Sequence, residues 1–530
     1  MRTFGTHGPV NPKENYIVTR SKETEDFIQR IKNGKYIVIF APRQTGKTTF
    51  FQQAVDRLTK KEDLYFPIQL NVETYATLTG SDFYSGFSED VHEAINNVFE
   101  QRGSTSPAAL MQFLENAKLT NPVTTRRFFT QLGKVLAPHR VVLIIDEFDG
   151  IPQDAVQGFL HALRHIYIAG KPRCPHSVGI AGVKNIRQLN YDASISPFNI
   201  QDEFVLPNFT LAQVRELLMQ YIDEVGQTFA PEVVETLHKQ TAGQPFLVNR
   251  LTQILTEELG VPKTEMLTMT HFAKAHTRLL REGNTNIDHL RTNVRRDRHF
   301  ETLLLKIASY DRGVPFNPDD TLIEELVTYG VIAAGTDGMC EIVNPIYQHR
   351  ILQIFKPTVN GLEAEYFSED TRADFSDYLS STGQLEIEAL LNNFQAFIAR
   401  AGFRILQVPE TPQEYVGQHL LYAYLDHFVR VVGANMFLEV QTGRGRMDLI
   451  ILHKQQKYIV ETKIWEGDRS YQAGKQQLAA YLTLENATEG YYVVFDHRQK
   501  PEPCIETEMI DGVKIRSYVI PVIQKAPSNR

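Results

Sequence analysis

The stretch Tyr36–Thr49 reads YIVIFAPRQTGKTT and joins a continuous apolar run to a short polar loop. Five apolar residues, Tyr36–Phe40, predict a β-strand that is buried on both of its faces. The loop matches the pattern GxxxxGK[ST], with Ala41 in place of the first glycine. Backbone N–H groups of such a loop surround phosphate oxygens, the lysine reaches the β- and γ-phosphates, and the threonine hydroxyl ligates Mg²⁺. We therefore predict an ATP–Mg²⁺ site made by Ala41, Pro42, Arg43, Gln44, Thr45, Gly46, Lys47, Thr48 and Thr49.

A second apolar run, VVLIIDEFD at 141–149, ends in two adjacent carboxylates. Ligands of a parallel sheet bind at the carboxyl ends of its strands, which is where this pattern puts Asp146 and Glu147. We expect Asp146 to hold the Mg²⁺ ion, and Glu147 to orient and deprotonate the attacking water. Asp149 is interpreted as structural.

Strands and amphipathic helices alternate through the first 205 residues, which predicts an α/β fold with a doubly wound parallel sheet. A helix is expected from Ser21, as N-cap, to Asn33-Gly34. Further buried strands are expected at Phe66–Val72, Val141–Ile145 and Ser177–Ala181. Residues 210–280 have helical periodicity, and two helices followed by a hairpin within 297–357 predict a winged helix. A second α/β pattern, expected to form a mixed sheet, begins near residue 385.

Five short segments together resemble the AAA-like ATPases related to archaeal-type and STAND NTPases, over residues 10–355. They are Tyr16–Arg20, APRQTGKT at 41–48, LIIDEFD at 143–149, SPFN at 196–199 and TAGQPFLVNRL at 241–251. The resemblance implies a helical lid in which Gly243 and Pro245 lie close to the nucleotide, and it puts the Tyr16–Arg20 segment near the adenine. Its sensor residue is left open between Lys184 and Asn185, and its arginine finger between Arg164, Arg173, Arg187 and none of them.

The predicted division of the chain has five parts. They are an ATPase core at 1–205, a helical lid at 206–296, a winged-helix-like domain at 297–357, an acidic linker at 358–384 and an α/β domain at 385–530. The linker rests on the segment 361–380, which carries six carboxylates against one arginine.

The last domain contains a hairpin with an unusual charge pattern, GRGRMDLIIL at 443–452 followed by YIVETKIW at 458–465. A turn centred on Gln455 and Gln456 predicts that Asp448 lies opposite Lys463 and that Glu461 lies opposite Ile450. Period-2 alternation then brings Asp448, Glu461 and Lys463 to one face of the sheet. Two neighbouring carboxylates repel each other unless a cation lies between them, and Mg²⁺ or Mn²⁺ suits oxygen ligands. Such a metal activates water and offsets charge on a scissile phosphate.

Asp448, 12 intervening residues and then Glu-x-Lys resemble the core of the PD-(D/E)XK nuclease superfamily, over residues 385–520. The GRxD lead-in and the helical pair Gln477 and Tyr481 are similar to a branch that is often fused to AAA-like ATPases. The resemblance implies that Asp448 and Glu461 bind the metal and that Lys463 acts with them in catalysis. Further candidates are open to a packing or surface interpretation: Glu414 or Glu439 as a third carboxylate, Arg444 and Arg446 as phosphate contacts, and Gln477 and Tyr481 as orienting groups.

Composition limits the classes of function. The chain has 530 residues, of which 55 are basic and 63 acidic, for a net charge of −8, so it is not a protein that coats nucleic acid. Its three cysteines form no CxxC pair, and Cys174-Pro-His176 is too poor for a metal site. No apolar run approaches the ~18 residues that span a bilayer, and a cytoplasmic protein without membrane contact is expected. Homo-oligomerisation is left open, and the basic stretch 291–298 fits either a nucleic-acid contact or a solvated helix face.

Together these observations predict an ATPase coupled to a metal-dependent nuclease that cuts nucleic acid, DNA rather than RNA. A role in defence or mobile-element biology is implied by the resemblances alone. Two alternatives stay open. One is a signalling or scaffold NTPase with a non-catalytic nuclease-like domain, and the other is a winged-helix DNA-binding regulator switched by ATP.

Overall fold

The computed structural model describes ten segments of the chain: residues 1–182, 200–283, 285–295, 297–309, 314–354, 378–405, 413–439, 447–454, 456–498 and 500–522. Lys184, Asn185, Arg187, the SPFN segment, most of the predicted linker, Arg444 and Arg446 lie outside them. So do the side chains of Glu414, Glu439 and Asp448, although the backbone there is described. The chain forms two compact units, residues 1–220 with 244–246 and residues 221–243 with 247–530. The finer predicted boundaries stay a prediction.

The first unit is built on a five-stranded parallel sheet. The strands of this sheet are β3 (Tyr36–Phe40), β4 (Tyr65–Asn71), β5 (Arg140–Asp146), β6 (Ser177–Gly182) and β7 (Gln201–Glu203). Two short strands that precede them, β1 (Thr3–Phe4) and β2 (Asn15–Tyr16), form a separate pair. The order in the large sheet is β4-β5-β6-β3-β7. This confirms the predicted parallel α/β fold, and each of the expected strands begins and ends within one residue of its predicted bounds.

Helices cover both faces of this sheet: α1 (Ser21–Lys32), α2 (Lys47–Lys61), α3 (Gly80–Gln101), α4 (Ala108–Asn116), α5 (Pro122–Val135) and α6 (Gln153–Ile168). Two short 3₁₀ helices, Glu73–Tyr75 and Phe148–Gly150, follow β4 and β5. Tyr36 and Val38 belong to one apolar cluster and Ile37 and Ile39 to another, so β3 is buried on both sides as its sequence predicts. Ser21 is the first helical residue rather than the N-cap. Arg20 is the N-cap, in left-handed backbone conformation, and its side chain makes no capping hydrogen bond.

The helices after β7 are α7 (Leu211–Val225), α8 (Pro231–Thr241), α9 (Pro245–Gln253), α10 (Met269–Arg281), α11 (Thr285–Val294), α12 (Arg298–Ser309), α13 (Thr321–Thr328), α14 (Pro345–Ile354), α15 (Ile387–Ile405), α16 (Gln413–Val431) and α17 (Asp468–Leu484). A π-helical turn, Ile254–Glu258, continues α9. A short hairpin of β8 (Ile332–Ala334) and β9 (Cys340–Ile342) follows α12 and α13. This is the helix–helix–hairpin order on which the winged-helix prediction rests. Within the described residues, no helix combines the length and the apolar character needed to cross a membrane.

The second unit also contains a six-stranded mixed sheet, in the order β10-β11-β12-β13-β15-β14. The strands are β10 (Asn435–Glu439), β11 (Met447–His453), β12 (Gln456–Ile464), β13 (Glu489–Asp496), β14 (Cys504–Ile510) and β15 (Val513–Pro521). β12 and β13 pair parallel, as do β13 and β15, and the other neighbours are antiparallel. The side chains of α17 pack against one face, together with Phe437, Ile450 and Ile459. The second α/β pattern in the sequence is therefore present as a folded mixed sheet.

Candidate functional site

The loop after β3 has the backbone of a phosphate-binding loop. Gln44 and Gly46 have positive φ values, +62° and +84°, and the glycine forms the N-cap of α2. A Cβ on Gly46 would meet no protein atom within 4 Å, so the backbone angle is what favours glycine there. Ala41 donates its N–H to the Gly182 carbonyl at 3.2 Å and so prolongs the pairing of β3 with β6. Because Ala41 continues a strand, its position needs no glycine.

Lys47 begins α2 with its ammonium group held in the loop. Its Nζ donates to the carbonyl oxygens of Ala41 at 2.6 Å and Pro42 at 3.0 Å, and the side chain is buried. Burial lowers the pKa of Lys47, and the charges of Glu147, Asp146 and Asp149 act in the opposite direction. The lysine is thus oriented into the loop by two neutral carbonyl acceptors, which a negatively charged phosphate group can replace.

Thr48, Asp146 and Glu147 meet at the carboxyl end of β5. The Thr48 hydroxyl donates to Asp146 Oδ2 at 2.6 Å, and Asp146 Oδ1 accepts the Glu147 N–H at 3.0 Å. A hydroxyl and a carboxylate oxygen at this separation are hard donors of the kind that Mg²⁺ prefers, so these residues fit the predicted ion. Glu147 has φ of +52°, and burial raises the pKa of its carboxyl group. A raised pKa suits a residue that exchanges protons near neutral pH.

Asp149 lies beside Gly182 at the end of β6, and its structural interpretation stays a prediction. The carboxylate of Asp149 lies against Gly182, where a Cβ would come within 2.9 Å of its Oδ2. Gly182 also accepts the hydrogen bond of Ala41, so Asp149 packs behind the loop.

Two buried polar side chains brace the loop, and sequence reasoning did not single out either as a contact. Arg20 donates to the Pro207 carbonyl at 2.7 Å and to the Thr45 carbonyl at 3.4 Å, and its guanidinium lies 4.6 Å from the Phe209 ring centroid. Desolvation lowers the pKa of Arg20 to about 10. Gln244, the middle residue of the Gly243–Pro245 segment, donates from Nε2 to the Gln44 carbonyl at 3.2 Å. Arg20 is the last residue of the Tyr16–Arg20 segment, and Gln244 lies between Gly243 and Pro245. The family segments in the sequence therefore pointed to the right places, but not to these two contacts.

The candidates for an arginine finger are only partly described. Arg173 lies at the opposite edge of the sheet from the loop, where its guanidinium stacks 4.2 Å from the Tyr167 ring centroid and donates to the Gly34 carbonyl. Arg164 is half-buried on α6. Within its own unit, Arg173 is therefore not beside the phosphate loop.

The acidic cluster of the second unit is set by the register of three strands. Glu439 pairs with Asp448 between β10 and β11, and Asp448 pairs with Glu461 between β11 and β12. Directly opposed residues of antiparallel strands share a face, so positions 439, 448 and 461 form one acidic row. The next row on the same face is Phe437, Ile450 and Ile459, which is apolar and buried.

The predicted hairpin register was wrong by two residues. Asp448 lies opposite Glu461 rather than Lys463, and Ile450 lies opposite Ile459 rather than Glu461. The turn lies one residue earlier in the chain than predicted: Gln456, expected within the turn, pairs with His453, and Lys454 takes a left-handed φ of +46°. A shift of two residues preserves the face, so Asp448, Glu461 and Lys463 still share one side of the sheet.

One of the two predicted orienting residues, Gln477, contacts Lys463 of the proposed site. Lys463 Nζ donates to Gln477 Oε1 of α17 at 3.4 Å. Tyr481 is buried in the apolar cluster beneath α17, and Glu461 is only 2% exposed. Glu414 lies in the first turn of α16 and Glu439 is in the row itself, which favours Glu439 as the third carboxylate. Among the described side chains, no group of three His, Cys, Asp or Glu residues is placed to hold a metal; those of Glu439 and Asp448 are outside that set.

Trp465, directly after β12, is held by aromatic and cationic contacts. Its ring lies 5.1 Å from that of Tyr471 and 4.3 Å from the guanidinium of Arg498. Arg498 in turn forms a bidentate pair with the fully buried Asp496 at the end of β13, with a closest distance of 2.7 Å. Trp465 is thus fixed between a helix and an ion pair.

The parallel sheet, the loop after its central strand and the threonine–aspartate contact define the first unit as a P-loop nucleotide-binding domain of the ATPase type. The chain belongs to the AAA-like domain family, whose model matches residues 6–347. Residues 384–499 match a family described as a domain of unknown function (DUF8371). The AAA-like part of the sequence-based resemblance is thereby confirmed, and the nuclease part stays a prediction.

Three known proteins are similar to parts of the chain. An uncharacterized WD repeat-containing protein of Synechocystis sp. is 21% identical over 344 residues, and the match covers 61% of this chain and 28% of that protein's length. A Walker-type ATPase of Pyrococcus abyssi has 14% identity and a TM-score of 0.46, covering 66% of this chain and 99% of that one. The Aeropyrum pernix ORC1 protein, solved in complex with DNA, has 15% identity and a TM-score of 0.32, covering 64% and 93%.

Proposed function

We propose that this chain is an ATPase whose hydrolytic cycle controls a metal-dependent nuclease in its second unit. ATP binds the loop 41–49, Lys47 contacts the phosphates, and Thr48 with Asp146 holds Mg²⁺. Glu147 takes the proton of the attacking water. The contact between Thr48 and Asp146 at 2.6 Å supports this half of the proposal.

The acidic row at 439, 448 and 461 is the observation that carries the nuclease half. Three adjacent strands with a carboxylate at the same level destabilise a sheet unless the charge is compensated, and like charges directly opposite repel. The row adjoins the buried apolar row of Phe437, Ile450 and Ile459, and Lys463 is two residues beyond Glu461 on the same face. Oxygen donors of this kind suit Mg²⁺ or Mn²⁺, and such an ion would polarise a phosphodiester and lower the pKa of a bound water.

Asp448 and Glu461 would hold the ion, with Glu439 as the third carboxylate in preference to Glu414. Lys463, kept in place by Gln477, would neutralise charge on the phosphate. Nucleic acid, DNA rather than RNA, is the proposed substrate, and defence or mobile-element biology the proposed setting. Arg444 and Arg446, which precede Asp448 in the sequence, would contact phosphate groups of the substrate.

A buried amide supports coupling between the helices and the acidic row. Gln240 of α8 donates from Nε2 to the Leu438 carbonyl at 2.9 Å, one residue from Glu439. Its Oε1 lies 3.1 Å from His276 Nε2 of α10, and both side chains are buried. Thr277 adds a hydrogen bond of 3.1 Å to Asn435 at the start of β10. A movement of the proposed lid helices would therefore act directly on the strand that carries Glu439.

The test is cleavage of linear, circular and single-stranded DNA and of RNA by the full-length protein, with Mg²⁺ or Mn²⁺ and with or without ATP. We expect Asp448→Asn to abolish cleavage and to leave ATP turnover intact, and Lys47→Ala to abolish turnover. Lys60→Ala is the matched control for Lys47, because Lys60 is in the same helix and its side chain is 75% exposed. Cleavage that persists in Asp448→Asn would refute the assigned site.

One observation favours a second candidate function, that of a DNA-binding regulator switched by ATP. The helices α12 and α13 and the β8–β9 hairpin follow one another in the order of a winged helix. If DNA binds tightly and ATP turns over, but no substrate is cut with either metal, an ATP-switched DNA-binding regulator replaces the nuclease proposal.

A further inference from the structure

A strongly basic cavity lies at the edge of the first sheet where its strands begin, away from the phosphate loop at the strands' carboxyl ends. Its volume is about 960 Å³, it is open to solvent on one side, and it is lined by α5, α6, the start of β5 and the segment that leads into β6. Five of its lining residues are permanently charged: Arg126, Lys134, Arg140, Lys171 and Arg173. None of the lining residues is acidic, and none belongs to the loop 41–49.

These charges are concentrated and uncompensated. Within the described part of the chain, no carboxylate lies within ion-pair distance of Arg126, Lys134, Arg140 or Lys171. Lys171 donates instead to the Asn33 carbonyl at 2.8 Å. His176, buried in the same wall, shows the local field: burial lowers its pKa, and the charges of Arg140, Lys171 and Arg173 lower it further. A pocket with this potential attracts anions.

Apolar residues also line the cavity, and an aromatic ring holds one of its arginines in place. In both respects the cavity differs from a cluster of lysines on the protein surface. Ile166, Pro138 and Pro172 line it beside the cations. Arg173 is fixed by stacking on Tyr167, with 4.2 Å from guanidinium to ring centroid, and by its hydrogen bond to the Gly34 carbonyl. A held guanidinium loses little entropy when it binds phosphate oxygens. Volumes of roughly 300–1,000 Å³, mostly apolar with a few charged groups, are typical of small-ligand sites.

We propose that this cavity binds a second phosphorylated ligand of nucleotide size, distinct from the nucleotide at the phosphate loop. The cluster of arginines and lysines takes the phosphate groups, and the apolar wall takes the organic part of the ligand. A small ligand is proposed rather than a polynucleotide because the volume of about 960 Å³ and the apolar part of the lining are those of a small-ligand site. Arg140 begins β5 and Asp146 ends it, so a ligand in the cavity contacts the start of the strand whose end carries the Mg²⁺ ligand.

The experiment measures binding of inorganic tripolyphosphate and of ATP to the full-length protein by calorimetry. Lys47→Ala removes the contribution of the phosphate loop, and in this background we expect one remaining site per chain. Adding Arg126→Gln and Arg140→Gln should weaken that site roughly tenfold or more, since two charges that contact phosphate are lost. The control is Lys118→Gln with Arg127→Gln, which removes the same charge from exposed residues outside the cavity. In the Lys47 background the control pair should bind like the parent.

Three results would overturn the assignment. The first is that neither probe binds to Lys47→Ala. The second is that the cavity pair and the control pair bind the probes with equal affinity. The third is that binding of a single-stranded DNA 20-mer requires the cavity residues while tripolyphosphate does not bind. If the cavity pair fails to fold by circular dichroism, Lys134→Gln alone tests the same site, because Lys134 is exposed and makes no ion pair within the described residues. Its loss should still weaken binding measurably relative to Arg127→Gln alone.

Discussion

The two acidic strand ends of this protein are built in opposite ways. Asp146 is satisfied by its surroundings, since it accepts hydrogen bonds from the Thr48 hydroxyl at 2.6 Å and the Glu147 N–H at 3.0 Å. The row at Glu439, Asp448 and Glu461 instead places like charges at one level of three neighbouring strands. The donors to Asp146 are protein groups, whereas the proposed function assigns a cation to the acidic row. The two sites are therefore distinguished by what surrounds each carboxylate, and not by its place at the end of a strand.

The first site should be the more sensitive to loss of a single hydroxyl. We expect Thr48→Val to lower ATP turnover by roughly a hundredfold or more, because valine keeps the shape but cannot ligate Mg²⁺ or donate to Asp146. Thr59→Val is the matched control: Thr59 is in the same helix, its hydroxyl donates to the Val55 carbonyl at 2.9 Å, and it lies outside the loop 41–49. Steady-state turnover over a Mg²⁺ titration measures both. Equal losses in the two variants would mean that the Thr48–Asp146 contact is only structural.

The second site should be sensitive to a residue that does not belong to it. In Gln240→Ala, the buried Leu438 carbonyl loses its donor, and an unsatisfied buried group costs about 1–3 kcal/mol. Because Leu438 adjoins Glu439, we expect DNA cleavage to fall at least about tenfold while ATP turnover is unchanged. The readout is the ratio of cleavage to turnover in one preparation.

Thr252→Val is the control for Gln240→Ala. It removes another buried hydrogen bond of the second unit, from Thr252 Oγ1 to the Val248 carbonyl at 2.7 Å, without contacting β10. If both variants lose cleavage equally, then general destabilisation explains the loss and the proposed coupling is wrong.

The same contrast explains what could be predicted from sequence. The phosphate loop is contiguous, so Tyr36–Thr49 predicts strand, loop and helix, and the contact of Thr48 with Asp146 follows from two recognisable segments. The acidic row depends on pairing between three strands. A turn one residue earlier than expected changed the register by two, so that Asp448 lies opposite Glu461 instead of Lys463. The place of Glu439 in the row follows from the pairing of β10 with β11, which the sequence alone did not predict. Arg20 and Gln244 were missed because their carbonyl partners, Thr45 and Gln44, carry no side-chain signal.

We expect the second unit to become less stable at acidic pH because of His276. This residue is fully buried, and desolvation lowers its pKa from 6.5 to about 4. The unfolded chain therefore binds the proton more readily, so stability present above pH 6.5 is lost as the pH falls toward 4, by up to about 1.4 kcal/mol per pH unit. Urea unfolding followed by the fluorescence of Trp465, the single tryptophan, measures this loss in the sheet that contains β10. His276→Gln should have a shallower dependence in that window, and an unchanged slope would exclude His276 as its source.

The smallest effect we expect is a gain in stability at the acidic row. Glu461→Gln removes one of three adjacent like charges, and relief of a directly opposed pair is worth roughly 0.5–1 kcal/mol in the absence of divalent metal. Trp465 fluorescence again reports on this sheet, because Trp465 directly follows β12. The control Glu386→Gln removes an exposed carboxylate outside the row and should leave the stability unchanged. Added Mg²⁺ should stabilise the wild type more than the variant, since binding to the folded state adds to its stability. A variant that is less stable than the wild type without metal would show that Glu461 is held like Asp146, and the contrast between the two sites would disappear.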